Sequence, residues 1–239
     1  MVINMNIAVL LAGGADPNFK MDIPKQFVNV YNRPLIVYTM QVFQNHPEID
    51  EIMVSCISGW ENMVMAYAKQ FKISKLKYVI NGGKSGQETS RLSVEKLLEN
   101  CSREDIIILH DAIRPLVTDE IISDSIRCCR KNGMGIAAVG SMDNVMTTND
   151  GITGNTTIQR HAFRRIQTPQ TYQLGQLYDA HHEALKRGIE GENDTNNMMS
   201  KLGKKVNFSK GSDLNLKVNT VEDIEMFKAL YNMYNDMDY

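Results

Sequence analysis

The first residues able to do chemistry follow an apolar run. Ile7-Ala8-Val9-Leu10-Leu11 breaks at Ala12-Gly13-Gly14, and Pro24-Lys25-Gln26-Phe27 follows after a short loop. A buried strand ending in two glycines turns sharply and leaves backbone N–H groups bare for a phosphate or a base edge. A lysine in the following loop can swing back over the same place as a cation for a polyphosphate. Four later blocks are of the same kind. Gly82-Gly83-Lys84-Ser85-Gly86-Gln87-Glu88-Thr89 mixes glycines with hydroxyls and a lysine, and His110-Asp111-Ala112-Ile113-Arg114-Pro115 pairs a carboxylate with an arginine. Arg160 with Gln167-Thr168-Pro169-Gln170, and then Asn215-Leu216-Lys217, complete the set. Asp111 follows the apolar run at 106–109 with only His110 between. A carboxylate there is costly without a cation, unless it serves only to cap the next helix. Arg114 either pins this loop by pairing with a carboxylate or faces a substrate, with the loop-fixing role preferred.

Such blocks need rigid elements to hold them. Short β-rich runs at 7–11, 49–57, 77–80, 106–109, 135–139 and 206–208 alternate with helical stretches at 34–44, 61–71, 90–100, 118–132, 174–187 and 221–234, with a further helix starting at Asn197. The apolar run at 106–109 is too dense for a one-sided sheet and predicts a strand buried on both faces. This rhythm predicts an α/β fold, a Rossmann-like, doubly wound and mostly parallel sheet. The blocks then fall just past the carboxyl ends of strands, where such sheets place their sites. Residues 143–159 break the rhythm. They are polar and rich in Thr and Asn, and Asp150-Gly151 between β-formers signals a hairpin. With little apolar surface of its own, it reads as an arm that pairs with a second subunit, or else as a surface flap.

The 239 residues are 43% hydrophobic and 23% charged, with a net charge of −2. That balance offers no field for nucleic acid or an anionic membrane, so a phosphate ligand must be held by a few placed cations. No apolar run is long enough to span a bilayer, and the first residues do not resemble a signal peptide, which points to the cytoplasm. The four cysteines show neither metal spacing nor a redox pair, and are expected to be reduced packing residues. His181-His182 is expected to be an exposed helical pair. The chain is expected to form a single domain over 1–239, with 143–159 as its dimerisation arm.

Together, Pro24-Lys25-Gln26-Phe27, His110-Asp111-Ala112-Ile113-Arg114-Pro115, Gln167-Thr168-Pro169-Gln170 and Asn215-Leu216-Lys217 resemble the cytidylyltransferases that charge polyol phosphates with CMP. The best-known members act on methylerythritol phosphate in isoprenoid synthesis and on ribitol phosphate in wall or capsule synthesis. The resemblance implies a nucleotidyltransferase-type sheet, a homodimer, and attack of a substrate phosphate oxygen on the α-phosphorus of CTP with loss of pyrophosphate. It makes Lys25 and Lys217 the phosphate lysines, Asp111 the ligand of a nucleotide-bound Mg²⁺, and Arg160, Thr168 and Asp143 the residues that hold the polyol phosphate. In the family that arginine reaches over from the partner's arm. Asp213, four residues before Lys217, is either a second carboxylate for the metal or an ordinary charged turn residue. The cytosine readers are expected to be backbone groups at Ala12 and Gly13, with Gly83 and Thr89, and Gly14 is expected to line the nucleotide site with them.

The chain also departs from the family. The first loop usually runs Gly-x-Gly-x-Arg-Met, whereas here it is Gly14-Ala15-Asp16-Pro17-Asn18-Phe19-Lys20-Met21. Lys20 stands in for the arginine, with charge but no bidentate fork, and Asp16 sets a negative charge beside a triphosphate. Thr89 takes the place of a serine, and Asn193-Asp194-Thr195-Asn196 replaces a more acidic run. The Gly82–Gln87 stretch looks more like members associated with surface polysaccharides. A nucleotide-binding homologue with little turnover is the alternative. A nicotinamide-dependent oxidoreductase fits poorly, because Gly-x-Gly-x-x-Gly is missing.

Overall fold

The computed structural model describes residues 4–14, 19 and 23–236, the last three without their side chains. Its strands are β1 (Asn6–Ala12), β2 (Asn29–Val30), β3 (Arg33–Pro34), β4 (Glu51–Cys56), β5 (Leu76–Asn81), β6 (Ile106–Asp111), β7 (Met134–Gly140), β8 (Val145–Thr147), β9 (Thr156–Ile158), β10 (Arg164–Gln173) and β11 (Phe208–Lys210). Its helices are α1 (Leu35–Asn45), α2 (Glu61–Gln70), α3 (Gly86–Leu97), α4 (Asp119–Asn132), α5 (Leu174–Lys186), α6 (Thr195–Lys201) and α7 (Val221–Asp236).

Seven strands form one sheet in the order β11-β7-β10-β6-β1-β4-β5. Every pairing is parallel except those of β10, which runs antiparallel to β6 and β7. Alternation along β1 sends Ala8, Leu10 and Ala12 into a core with α1, α2 and α4, and Ile7 and Val9 into a second core with α3, α5 and α6. Ile107 and Ile108 are fully buried on opposite faces, as the dense run at 106–109 predicts. Each such side chain contributes about 1.5–3 kcal/mol through its removal from water. The chain runs outward from β1 through β4 to β5, then returns to lay β6 on the other side of β1. The loops leaving β1 and β6 therefore diverge and open a crevice.

β10 is the strand that sequence reading misses. Arg164–Gln173 has no apolar alternation and contains Pro169, a residue that normally argues against a central strand. The ladder to β7 shifts register between Ile166 and Gln170, so Pro169 sits where no regular bond is required. The buried polar side chains of this strand are paired instead: Thr171 shares a hydrogen bond of 2.6 Å with Ser125, whose hydroxyl also reaches Gly135 O.

The segment at 143–159 forms the separate hairpin β8–β9, but its Asp150-Gly151 does not make a two-residue turn. The strands stop at Thr147 and restart at Thr156. Asp150 staples the loop between them by accepting from the backbone of Ile152 and Thr153 and from the Thr148 and Thr153 hydroxyls. Met142 (82% exposed) and Ile152 (89%) stand in the open along this arm.

His181 is a correction to the expected exposed pair. It is buried between α5 and α3, with Nε2 3.0 Å from Ser90 Oγ. Burial pushes its pKa down to about 3, and that of the equally buried His110 down to about 4. The cysteines carry no disulfide, and burial pushes the thiols of Cys56 and Cys101 up to about 11 and that of Cys129 to about 12. Among the described residues, no helix is long and apolar enough to cross a membrane.

Both histidines bind a proton more readily in the unfolded chain, near pH 6.5, than in the folded one. Stability is therefore whole above about pH 6.5 and falls as pH drops toward 4, by on the order of a few kcal/mol. Denaturant titrations at pH 7 and pH 4.5 check this. His181→Asn, which removes one of the two groups, is expected to narrow the difference; an unchanged difference would count against a neutral His181.

Candidate active site

The crevice at the ends of β1 and β6 is a cleft of about 660 Å³. Its floor is Leu11 to Gly14 and Asp111. One wall is the 83–86 turn leading into α3 with Asn193, Asp194 and Thr195; the other carries Lys25, Gln26, Lys217 and Asn219. Ile113, Arg114, Ile166, Gln167, Thr168 and Gln170 close the far end.

Two close backbone approaches shape the floor. A side chain on Gly82 would meet the Gly13 Cα at 3.3 Å, so these two glycines let the β1 and β5 loops pass each other. A side chain on Gly86 would collide with Asn193 O, so only glycine lets the start of α3 rest on the 193 loop. Ser85 caps α3 by accepting from Glu88 N at 3.1 Å. Within the same turn Gly83 N donates to Thr89 Oγ1 at 3.0 Å, and that hydroxyl donates to Ser85 O at 2.8 Å. The N–H of Gly83 and the hydroxyl proton of Thr89, both expected to read a base, are thus committed to the loop itself.

The Lys25–Phe27 turn is fixed from two sides. Gln26 Nε2 donates to Ala12 O at 2.6 Å, and Phe27 stacks on Trp60 with centroids 4.2 Å apart. Lys25, nearly buried, then lies beside Asn219, with Nζ 3.1 Å from Oδ1.

Asp111 is the electrostatic centre. Its Oδ2 accepts from Arg114 Nε at 3.0 Å and Lys217 Nζ at 3.1 Å. Burial opposes its ionisation, but Lys217 and then Arg114 outweigh burial and hold the carboxyl below its ordinary range. Arg114 also donates to Asn215 O at 2.7 Å, and Asp111 N donates to Thr168 Oγ1 at 3.0 Å. Asn215 Nδ2 reaches Thr168 O at 2.8 Å. Arg114 therefore plays the loop-fixing part, although it also lines the cleft. His110, kept neutral by burial, faces Arg114 O through Nε2 at 3.1 Å, so that nitrogen carries the proton.

The structure brings Ala12, Gly13, Gly14, Lys25, Gly83, Thr89, Asp111, Arg114, Thr168 and Lys217 to one cleft. It does not bring Asp213 there: this exposed carboxylate pairs with Arg165. Asp143 and Arg160 are also absent from the lining. Both are exposed at the root of the arm, where Arg160 donates to Met142 O at 3.1 Å. Lys20 and Asp16 lie outside the described residues. Lys84 and Gln170, which the sequence blocks include without a role of their own, also line the cleft, and so does Asn219, which no block includes. For Asn219 a signal existed, an amide placed between Lys217 and the cap of α7.

Among the described residues Asp111 is the carboxylate on the cleft floor, Asp194 lying on a wall, and no cluster of three or more His, Cys, Asp or Glu could hold a metal by itself. Both of its cation contacts fall on Oδ2, which leaves Oδ1 for an ion carried in by a ligand. Mg²⁺ suits this arrangement, since it takes one or two protein carboxylates and draws its other oxygens from phosphates and water. Two lysines and bare backbone at the mouth of a parallel sheet suit a polyphosphate whose negative charge grows during reaction.

The family model described as IspD, 2-C-methyl-D-erythritol 4-phosphate cytidylyltransferase, matches residues 6–232. The ribitol-5-phosphate cytidylyltransferase of Lacticaseibacillus paracasei is 38% identical, over 94% of this chain and 97% of that protein. The 2-C-methyl-D-erythritol 4-phosphate cytidylyltransferase of Clostridioides difficile is 32% identical, over 96% and 94%. The crystal structure of the 4-diphosphocytidyl-2C-methyl-D-erythritol synthase of Anaerococcus prevotii superimposes with a TM-score of 0.80 over 96% of this chain and 99% of that one, at 21% identity, a likeness of fold. With a family match over nearly its whole length, and with the family's blocks gathered at one cleft, the chain belongs to the IspD family of cytidylyltransferases.

Proposed function

We propose that this cytidylyltransferase transfers CMP from CTP to ribitol 5-phosphate, with the whole chain, 1–239, acting as one catalytic domain in the cytoplasm. The observation that carries the reading is the convergence of Lys25, Lys217 and Asp111 on the floor and wall of a single cleft. The choice of ribitol over methylerythritol as the acceptor rests on the greater likeness to the Lacticaseibacillus paracasei protein.

An oxygen of the acceptor's phosphate attacks the α-phosphorus of CTP, the bond to the β-phosphate oxygen breaks, and pyrophosphate leaves. The protein performs little covalent chemistry, so its contribution is alignment and stabilisation of negative charge. Lys25 and Lys217 flank the triphosphate from one wall and neutralise charge that builds in the transition state. Asp111 would hold a Mg²⁺ delivered with the nucleotide, and the ion would neutralise charge on the leaving phosphates. Backbone at Ala12, Gly13 and Gly14 would face the cytosine. Thr168 and Arg114 close the acceptor end. Asp143 and Arg160, outside their own cleft, would complete the acceptor site of a partner subunit through the 143–159 arm, making the enzyme a homodimer.

Pyrophosphate release from CTP and Mg²⁺ is expected with ribitol 5-phosphate and much less with methylerythritol phosphate. The reverse preference would reassign the acceptor, and tight CTP binding with neither acceptor turned over would indicate a homologue that only binds. Lys25→Ala and Asp111→Asn are each expected to lower kcat by about 10²–10³-fold in a protein whose circular dichroism is unchanged; parental rates in either would remove that residue from the site. Mixing Lys25→Ala with Arg160→Ala subunits is expected to restore activity, since a heterodimer then contains one site with both residues intact. No recovery would argue against a shared site.

A further inference from the structure

The wall that carries Asn193, Asp194 and Thr195 ends the connection between α5 and α6. That connection, 187–194, contains no regular element, and Glu190, Gly191 and Asn193 are exposed. A wall built from such a stretch needs something rigid to hold it in place. Among the described residues, every hydrogen bond that ties 187–194 to an element other than its flanking helices goes to one residue, Gln87.

Gln87 N donates to Glu192 O at 3.0 Å, Gln87 Oε1 accepts from Glu192 N at 3.1 Å, and Gln87 Nε2 donates to Ile189 O at 2.7 Å. One residue thus offers the loop what a strand edge would. The direction of the amide is set by chemistry, because a backbone N–H only donates and a carbonyl only accepts. Gln87 is 4% exposed and does not itself line the cleft. It lies in the first turn of α3, a helix whose Ser90 and Val94 are fully buried, so the loop is tied to a fixed element. The neighbouring seam has no slack, since a side chain on Gly86 would come within 2.0 Å of Asn193 O. Packing stops the loop from moving inward, and the three bonds stop it from moving outward.

We propose that Gln87 is a positioning residue that clasps the α5–α6 connection to α3 and so sets the distance between the two walls of the cleft. The inference rests on the reading of the cleft as the CTP site, in which the phosphates face the lysine wall and the nucleoside half meets the clasped one.

The test is CTP binding to the full-length enzyme by calorimetry, with kcat and the KM values for CTP and acceptor read in parallel. Gln87→Leu keeps the bulk and removes both side-chain bonds. With the wall then in place about a tenth of the time, Kd and KM for CTP are expected to rise roughly 10-fold, in proportion to that fraction. At saturating CTP, kcat is expected to stay within about 2-fold of the parent, because ligand pulls the wall back into place. Hydrogen exchange at the Glu192 amide is expected to quicken in the same variant. Gln87→Glu keeps the acceptor for Glu192 N but turns an oxygen toward Ile189 O, and is expected to weaken CTP binding as well. If Gln87→Leu fails to fold, Gln87→Glu carries the same comparison. Parental Kd and KM for CTP in a folded variant, or a fall in kcat with KM unchanged, would overturn the proposal. A parent enzyme that binds no CTP would instead overturn the reading of the cleft, so the two failures are distinct.

Discussion

The cleft is organised by one partly buried charge. Asp111 ends a strand whose preceding residues are out of water, and an ionised carboxylate there is favourable only with cations in contact. Arg114 and Lys217 supply them, 3.0 and 3.1 Å from the same oxygen. Arg114 and Asp111 are mostly out of water, so losing that contact costs more than losing an exposed, well-screened pair such as Arg127–Asp124. The inner cluster therefore decides where loops go. Through Arg114 it reaches Asn215 O, and through the backbone of Asp111 it reaches Thr168, so blocks more than 100 residues apart in the chain become one surface.

The sheet explains why the charge lies where it does. β6 is laid beside β1 only after the chain has gone out to β5, and the ends of these two central strands are the one place where successive loops part. β10, running the other way, brings Thr168 to the end of β6 rather than to its start. Between β7 and β10 the arm leaves the main sheet as a small sheet of its own, with apolar side chains in the open and two polar residues that its own cleft does not use.

Much of this was legible from the residues, and the exceptions have physical causes. Apolar runs such as 106–109 specify central strands because they can be buried on both faces, and Lys25 and Lys217, named through the family resemblance, line one cleft with Asp111. β10 was not legible, since its buried Gln167, Thr168 and Thr171 are satisfied by partners far along the chain. His181 was misplaced for the same reason: Ser90, its hydrogen-bonding partner, sits on another helix. Asp213 looked like a metal ligand by proximity to Lys217, but the side chain turns to Arg165. Thr89 has the right hydroxyl, yet hydrogen bonds inside its own turn engage it. Chain position identifies which groups are near a site; only packing shows which of them are already occupied.

If the triphosphate of CTP enters between Lys25 and Lys217, over the Asp111 carboxylate, a crystal structure of the enzyme with CTP and Mg²⁺ will show it. Phosphate oxygens are expected within hydrogen-bond reach of both ammonium groups, with the base over Ala12 to Gly14 and the ion on Asp111. A triphosphate lying along the 83–86 turn against Lys84, with Lys217 still paired to Asp111 and Lys25 untouched, would contradict it.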